Sequence, residues 1–106
     1  MTRNGGLPFS RQFLALALES LKRQALLKIK QDLKDSSNSL ADWRTGNGDC
    51  CIWVGVFCDK ATGHVTELQL GGSNHGRLRL GGKLNPALLD LKSLSYLDLS
   101  NNDFDL

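Results

Sequence analysis

Three thiols sit close together in this chain. Cys50 and Cys51 are adjacent and Cys58 follows, all within GDCCIWVGVFCD, residues 48–59. Three cysteines cannot all pair with one another. A disulfide would join two and leave the third free or short of a partner. A metal would use Cys50, Cys51 and Cys58, with His64 as a fourth ligand. Reduced thiols would pack as small apolar side chains. The spacing speaks against the metal, because zinc sites separate their first pair of ligands by two to four residues and Cys50 and Cys51 have nothing between them. No base is identifiable beside any of the thiols, so a nucleophilic role has no support.

The other chemistry-bearing residues exclude more than they suggest. Gly81-Gly82-Lys83 is followed by Leu84, whereas a phosphate loop needs Ser or Thr after the lysine and a glycine six residues before it. There is no G-x-S-x-G elbow and no H-E-x-x-H pair. His64 and His75 stand in turn-like sequence. The expectation is a chain that is not an enzyme and takes no cofactor and no metal. The formal charge is +2, from 13 basic and 11 acidic groups, which gives no argument for nucleic acid or an anionic membrane as partner. Apolar residues make up 41% of the chain, too many for a disordered one.

The elements that must position these residues follow from periodicity. Residues 1–11 have little to bury and read as a disordered or miscalled start. The apolar patch Phe13–Leu18 falls short of the roughly 7–15 residues of a secretory core and the roughly 20 of a membrane span, so this segment should neither direct export nor contact a membrane. From Gln12 to Lys34 the spacing predicts an amphipathic helix, its stripe running through Leu14, Leu18, Leu21 or Lys22, Ala25, Leu26, Ile29 and Leu33. The basic residues Arg11, Lys22, Arg23, Lys28, Lys30 and Lys34 are expected on its solvated face. The polar run Asp35–Ser39 ends it. Leu40–Trp43 is a further turn, with Trp43 as a core plug, and Cys51–Cys58 is β-prone. In HVTELQL, residues 64–70, Val65, Leu68 and Leu70 are apolar and Glu67 and Gln69 polar, the alternation of a half-buried strand.

The most regular piece is Leu91, Leu94, Leu97 and Leu99, an L-x-x-L-x-x-L-x-L run followed by Asn102 and Phe104. Glu67–Leu70 precedes Tyr96–Leu99 by 29 positions, and leucine-rich coils repeat every 20–29 residues. One coil cannot bury its leucines alone; the next must cover them.

Residues 24–104 resemble the N-terminal cap and first repeats of plant extracellular leucine-rich-repeat proteins, which include receptor-like proteins, receptor-like kinases and polygalacturonase-inhibiting proteins. The matching pieces are ALLKIKQDLKD as cap helix, SLADWRTGNGDCCIWVGVFCD as the tryptophan–cysteine signature, TGHVTELQL as first strand and LGGKLNPALLDLKSLSYLDLSNNDF as plant-type repeat. The resemblance implies an α/β fold: a leucine-rich-repeat solenoid fragment with a helical, disulfide-bearing cap. Residues 1–11 stand outside it, 12–62 form the cap, and 63–106 form about two coils, incomplete at the C-terminus.

The resemblance also implies roles. Cys51 pairs with Cys58, and Cys50 stays unpaired because the family's further cysteine, due near Leu18, is missing here. Adjacent residues in extended chain point opposite ways, which lets Cys50 face the helix while Cys51 reaches Cys58. Trp43, Trp53, Gly55, Leu68, Leu70, Leu97, Leu99 and Phe104 are structural, and Asn102 turns inward to satisfy backbone groups, with Ser73 in the matching place of the first coil. Gly82 sits where a side chain would crowd the chain. The residues between the leucines line a concave sheet: Thr66, Glu67, Gln69, Gly71 and Gly72 in one coil, Ser95, Tyr96, Asp98, Ser100 and Asn101 in the next. Glu67, Gln69, Tyr96, Asp98 and Ser100 are the candidate partner-binding residues, with Tyr96 and Asp98 foremost. The implied function is recognition of an extracellular peptide or protein, in company with a co-receptor kinase, in defence signalling at the cell surface. The alternatives are an inhibitor of a secreted polygalacturonase-type glycosidase and a truncated fragment with no function of its own.

Overall fold

Apolar side chains at spacings of three and four drive the first element. A computed structural model describes residues 11–72 and 79–105, with side chains described from Leu18 onward. Helix α1 spans Arg11–Asp32, and Lys22, Ala25, Leu26 and Ile29 form its buried face. The reading of residues 1–10, and the places of Leu14, Ser73, His75 and Leu78, lie outside the described residues or side chains, while Arg11, expected in the disordered start, is the first residue of α1.

The helix stops two residues before the expected Lys34. Leu33–Lys34 instead form the short strand β1, which pairs antiparallel with β4, Gly81–Gly82; β4 in turn runs parallel to β6, Asp103–Phe104. Asp35 accounts for the break. Its carboxylate accepts from the backbone N–H of Ser39 at 2.8 Å and of Leu40 at 2.7 Å, closing a turn that competes with helix. Gly82 is required at the junction: its φ is +82°, and a Cβ there would lie 2.5 Å from the Asp32 carbonyl oxygen.

Cys50–Ile52 form a 3-10 turn, so the expected strand over residues 51–58 is confined to its later part; Asp49 caps the turn by accepting from the Cys51 N–H. Strand β2, Val56–Cys58, follows Gly55, whose φ is +77° and whose missing Cβ makes room for the Gln69 carbonyl. β2 lies antiparallel to β3, Val65–Gln69, and β3 lies parallel to β5, Tyr96–Asp98. The register pairs Glu67 with Tyr96, which is the 29-residue offset of the sequence. A second 3-10 turn, Pro86–Asp90, packs against α1, with Asn85 as its cap.

One core joins these pieces. Trp43 and Trp53 stack with ring centroids 6.0 Å apart and are both buried. Each indole N–H is satisfied, Trp43 donating to the Val54 carbonyl and Trp53 to the Asn47 carbonyl, both at 2.9 Å. Leu26, Ile29, Leu40, Leu68, Leu70 and Leu80 complete the packing. Among the described residues, no helix is long and apolar enough to cross a membrane.

Candidate binding surface

The cap braces the sheet from one side. Cys51 and Cys58 are joined in a disulfide that closes the loop ahead of β3. Cys50 is a free, fully buried thiol whose nearest polar partner is the Glu19 carboxylate at 3.9 Å. Burial, seconded by the negative charge of Glu19, pushes this thiol up to about 11. It therefore stays protonated at neutral pH and offers no nucleophile. The Asp49, Cys50 and Cys51 ligand atoms lie within 4.8 Å of one another, but the bridge occupies two of the three sulfurs that a metal would need.

Lys22 decides a choice that the helical stripe leaves open. The stripe admits Leu21 or Lys22 as its core position, while the basic pattern places Lys22 on the solvated face. In the structure Lys22 is buried and Leu21 is exposed. The ammonium of Lys22 meets the Glu19 carboxylate at 2.8 Å, the Gly63 carbonyl at 2.7 Å and the Cys51 sulfur at 3.2 Å. Three donors thus find three partners, which is what makes a buried ammonium tolerable. The contact ties helix, disulfide and the turn before β3 into one unit.

The sheet β2–β3–β5 presents two rows. Val56, Leu68 and Leu97 are register partners and face inward. Phe57, Glu67 and Tyr96 are partners on the other face, which is open, with Gln69 and Asp98 as the next pair along it. Gln69 Nε2 donates to Glu67 Oε1 at 2.9 Å, fixing that carboxylate on the strand. Asp98 accepts from the N–H and hydroxyl of Ser100 at 3.0 and 2.6 Å. Gly71 lets Asp98 approach, since a Cβ at that position would lie 2.8 Å from its carboxylate. The five candidate partner-binding residues thus gather on two adjacent strands and the loop after them. A separate groove of about 430 Å³ opens between α1 and the Pro86–Asp90 turn, over Ala25, Val65 and Leu91; it borders none of those five.

The remaining structural residues divide. Leu68 and Leu70 are almost wholly buried, while Leu97 keeps 42% of its surface in water. Leu99 and Phe104 are half-buried against the core. Asn102 turns inward: its amide donates to the carbonyls of Leu70 and Leu99, and its oxygen accepts from the Leu80 N–H at 2.9 Å. Sequence reasoning missed Phe57 as a surface residue. The signal was available in the strand alternation, because a buried Val56 places Phe57 on the opposite face.

Comparison with known proteins follows this geometry. Residues 22–59 match the family model described as "Leucine rich repeat N-terminal domain". The chain is 44% identical over 94 residues to Receptor-like protein EIX1 of Solanum lycopersicum, which covers 79% of this chain and 9% of that protein. Among solved structures, the BIR2 ectodomain of Arabidopsis thaliana superposes with a TM-score of 0.67 at 31% identity, over 77% of this chain and 42% of that one. The ectodomain of the Arabidopsis receptor kinase HAESA, solved in complex with an IDA peptide hormone ligand, superposes with a TM-score of 0.68 at 29% identity, over 81% of this chain and 13% of that one. The chain spans about 9% of the length of the curated receptors it matches.

Proposed function

The chain resembles the N-terminal cap and first leucine-rich repeats of plant receptor-like protein and receptor kinase ectodomains, and from that premise we propose that it is a non-enzymatic recognition module working at the cell surface in defence signalling. Its partners in this reading are an extracellular peptide or protein and a co-receptor kinase. The observation that carries the reading is the open face of β3 and β5. Glu67, Gln69, Tyr96, Asp98 and Ser100 stand there on backbone that the tryptophan pair and the Lys22 contact hold rigid. A rigid sheet with outward side chains at fixed spacing reads an extended ligand without first having to order itself. Tyr96, half in water, supplies apolar area with a polar tip, the side-chain type favoured at protein contacts.

The test is a peptide-display selection on the 106-residue chain, followed by affinity measurement on Tyr96→Ala and on Glu67→Ala/Gln69→Ala. Enriched peptides should bind the variants at least about ten-fold more weakly, the loss that truncation of a central contact produces. Enrichment that is indifferent to both variants places recognition elsewhere and overturns the reading.

A further inference from the structure

The outward row Phe57–Glu67–Tyr96 puts one carboxylate between two aromatic side chains, one on each neighbouring strand. Phe57 is 46% and Tyr96 50% exposed, so neither ring is used up by the core. Strands lie about 4.8 Å apart, which sets the two aromatic backbones about 10 Å apart, with the Glu67 backbone midway. A flat or compact cation lowered onto Glu67 would have a ring on either side.

The charges point the same way. The three strands carry no lysine, arginine or histidine; their charged side chains are Glu67 and Asp98. Asp98 is turned to its own loop through Ser100. Among the described residues Glu67 is held by Gln69 alone, and no ion pair engages it. The face of an aromatic ring carries partial negative charge, so both rings and the carboxylate favour a cation and disfavour an anion. The separation suits a flat cation, because a guanidinium can stack on one ring while its edge meets the carboxylate.

We infer that the Phe57–Glu67–Tyr96 row is a recognition site for a basic side chain, arginine foremost, of an extended peptide ligand. This rests on the reading of the open face as the ligand-binding surface and names the chemistry that face selects. Gln69 is a positioning residue: its amide donates to the Glu67 carboxylate along the strand and fixes it on the open face.

The test is an NMR titration of the 106-residue chain with the capped peptide Gly-Ser-Arg-Ser-Gly, with its citrulline counterpart, which keeps the shape and loses the charge, and with the glutamate counterpart. The arginine peptide should shift the amides of residues 57, 67 and 96 with millimolar affinity. Citrulline should bind about ten-fold more weakly, and the glutamate peptide not at all. Glu67→Gln, and Phe57→Leu or Tyr96→Leu, should each weaken the arginine peptide about three-fold, since an exposed ion pair or a single ring contributes modestly. All three positions are partly or largely exposed, and an unchanged spectrum elsewhere verifies that each variant folds. Equal shifts from all three peptides at these residues would leave the open face as a peptide reader and overturn the basic-side-chain site. Arginine-dependent shifts confined to α1, or no shift up to 10 mM on the order of a weak surface contact, would overturn the site, and the former would remove the open face as the binding surface as well.

Discussion

The two coils carry the same leucine pattern and lie in register, yet water reaches them very differently. Leu68 and Leu97 are partners across β3 and β5 and point to the same side of the sheet. Leu68 is fully buried, and Leu97 keeps 42% of its surface exposed. β3 has β2 on one side and β5 on the other, whereas β5 has a described strand on one side only. A leucine in a solenoid is buried by its neighbours and not by its own coil. The pattern L-x-x-L-x-L therefore fixes which way a side chain points, and the stacking fixes how much that direction is worth.

The largest effect expected from this contrast is in the leucine pair itself. Leu68→Ala should cost about 3–4 kcal/mol, from lost burial and the cavity left behind. Leu97→Ala should cost about 1 kcal/mol, because much of its surface is in water before the change. Urea denaturation of the two variants beside the parent chain measures both. Equal losses would mean that the coils are equally supported and that the exposure of Leu97 carries no energetic meaning.

Asn102 offers a smaller and sharper comparison, since it belongs to the second coil but serves the first. Its amide and carbonyl hold the Leu70 and Leu80 backbone, which lies in the preceding turn of the solenoid. Asn102→Ala should cost about 2 kcal/mol, the penalty of leaving part-buried backbone groups without partners. Hydrogen exchange decides where that loss falls. The Leu80 amide should lose protection first, while the tryptophan-packed cap keeps its own. Uniform loss across the chain would show that Asn102 acts through global stability and not through this link between coils.

Much of this was legible in the residues. The leucine rhythm gave the strands, their 29-residue offset and the inward set, and the alternation in β3 gave the outward positions Glu67 and Gln69. Three features were not. The choice between Leu21 and Lys22 stayed open because a helix stripe cannot distinguish a solvated lysine from one whose ammonium finds Glu19, Gly63 and Cys51; two of those partners come from distant sequence. The early end of α1 came from Asp35 and from Gly82, which lies some 47 residues away and gives the chain room to turn into β1. The open row needed the register of three strands, and only the pairing of Phe57, Glu67 and Tyr96 shows that an aromatic from the cap stands beside the coil.

The smallest effect at neutral pH belongs to Cys50, and it separates the buried thiol from its bridged neighbours. Cys51 and Cys58 do not titrate, because they are joined. Cys50 is an acid whose folded value, about 11, lies above its ordinary 9.0. The unfolded chain therefore gives up the proton first, and folding stability from this group is fully present below about pH 9 and is lost as pH rises toward 11. The linkage amounts to about 1 kcal/mol between pH 8 and pH 10. Cys50→Ala removes the group, so the parent chain should lose about that much more stability than the variant over the same interval, in parallel urea titrations. Alkylation gives an independent readout: iodoacetamide should leave Cys50 untouched in the folded chain at pH 8 and label it once urea opens the core. Rapid labelling of the folded chain would mean that the thiol is reached by solvent, and the contrast between a sealed cap and a half-open second coil would disappear with it.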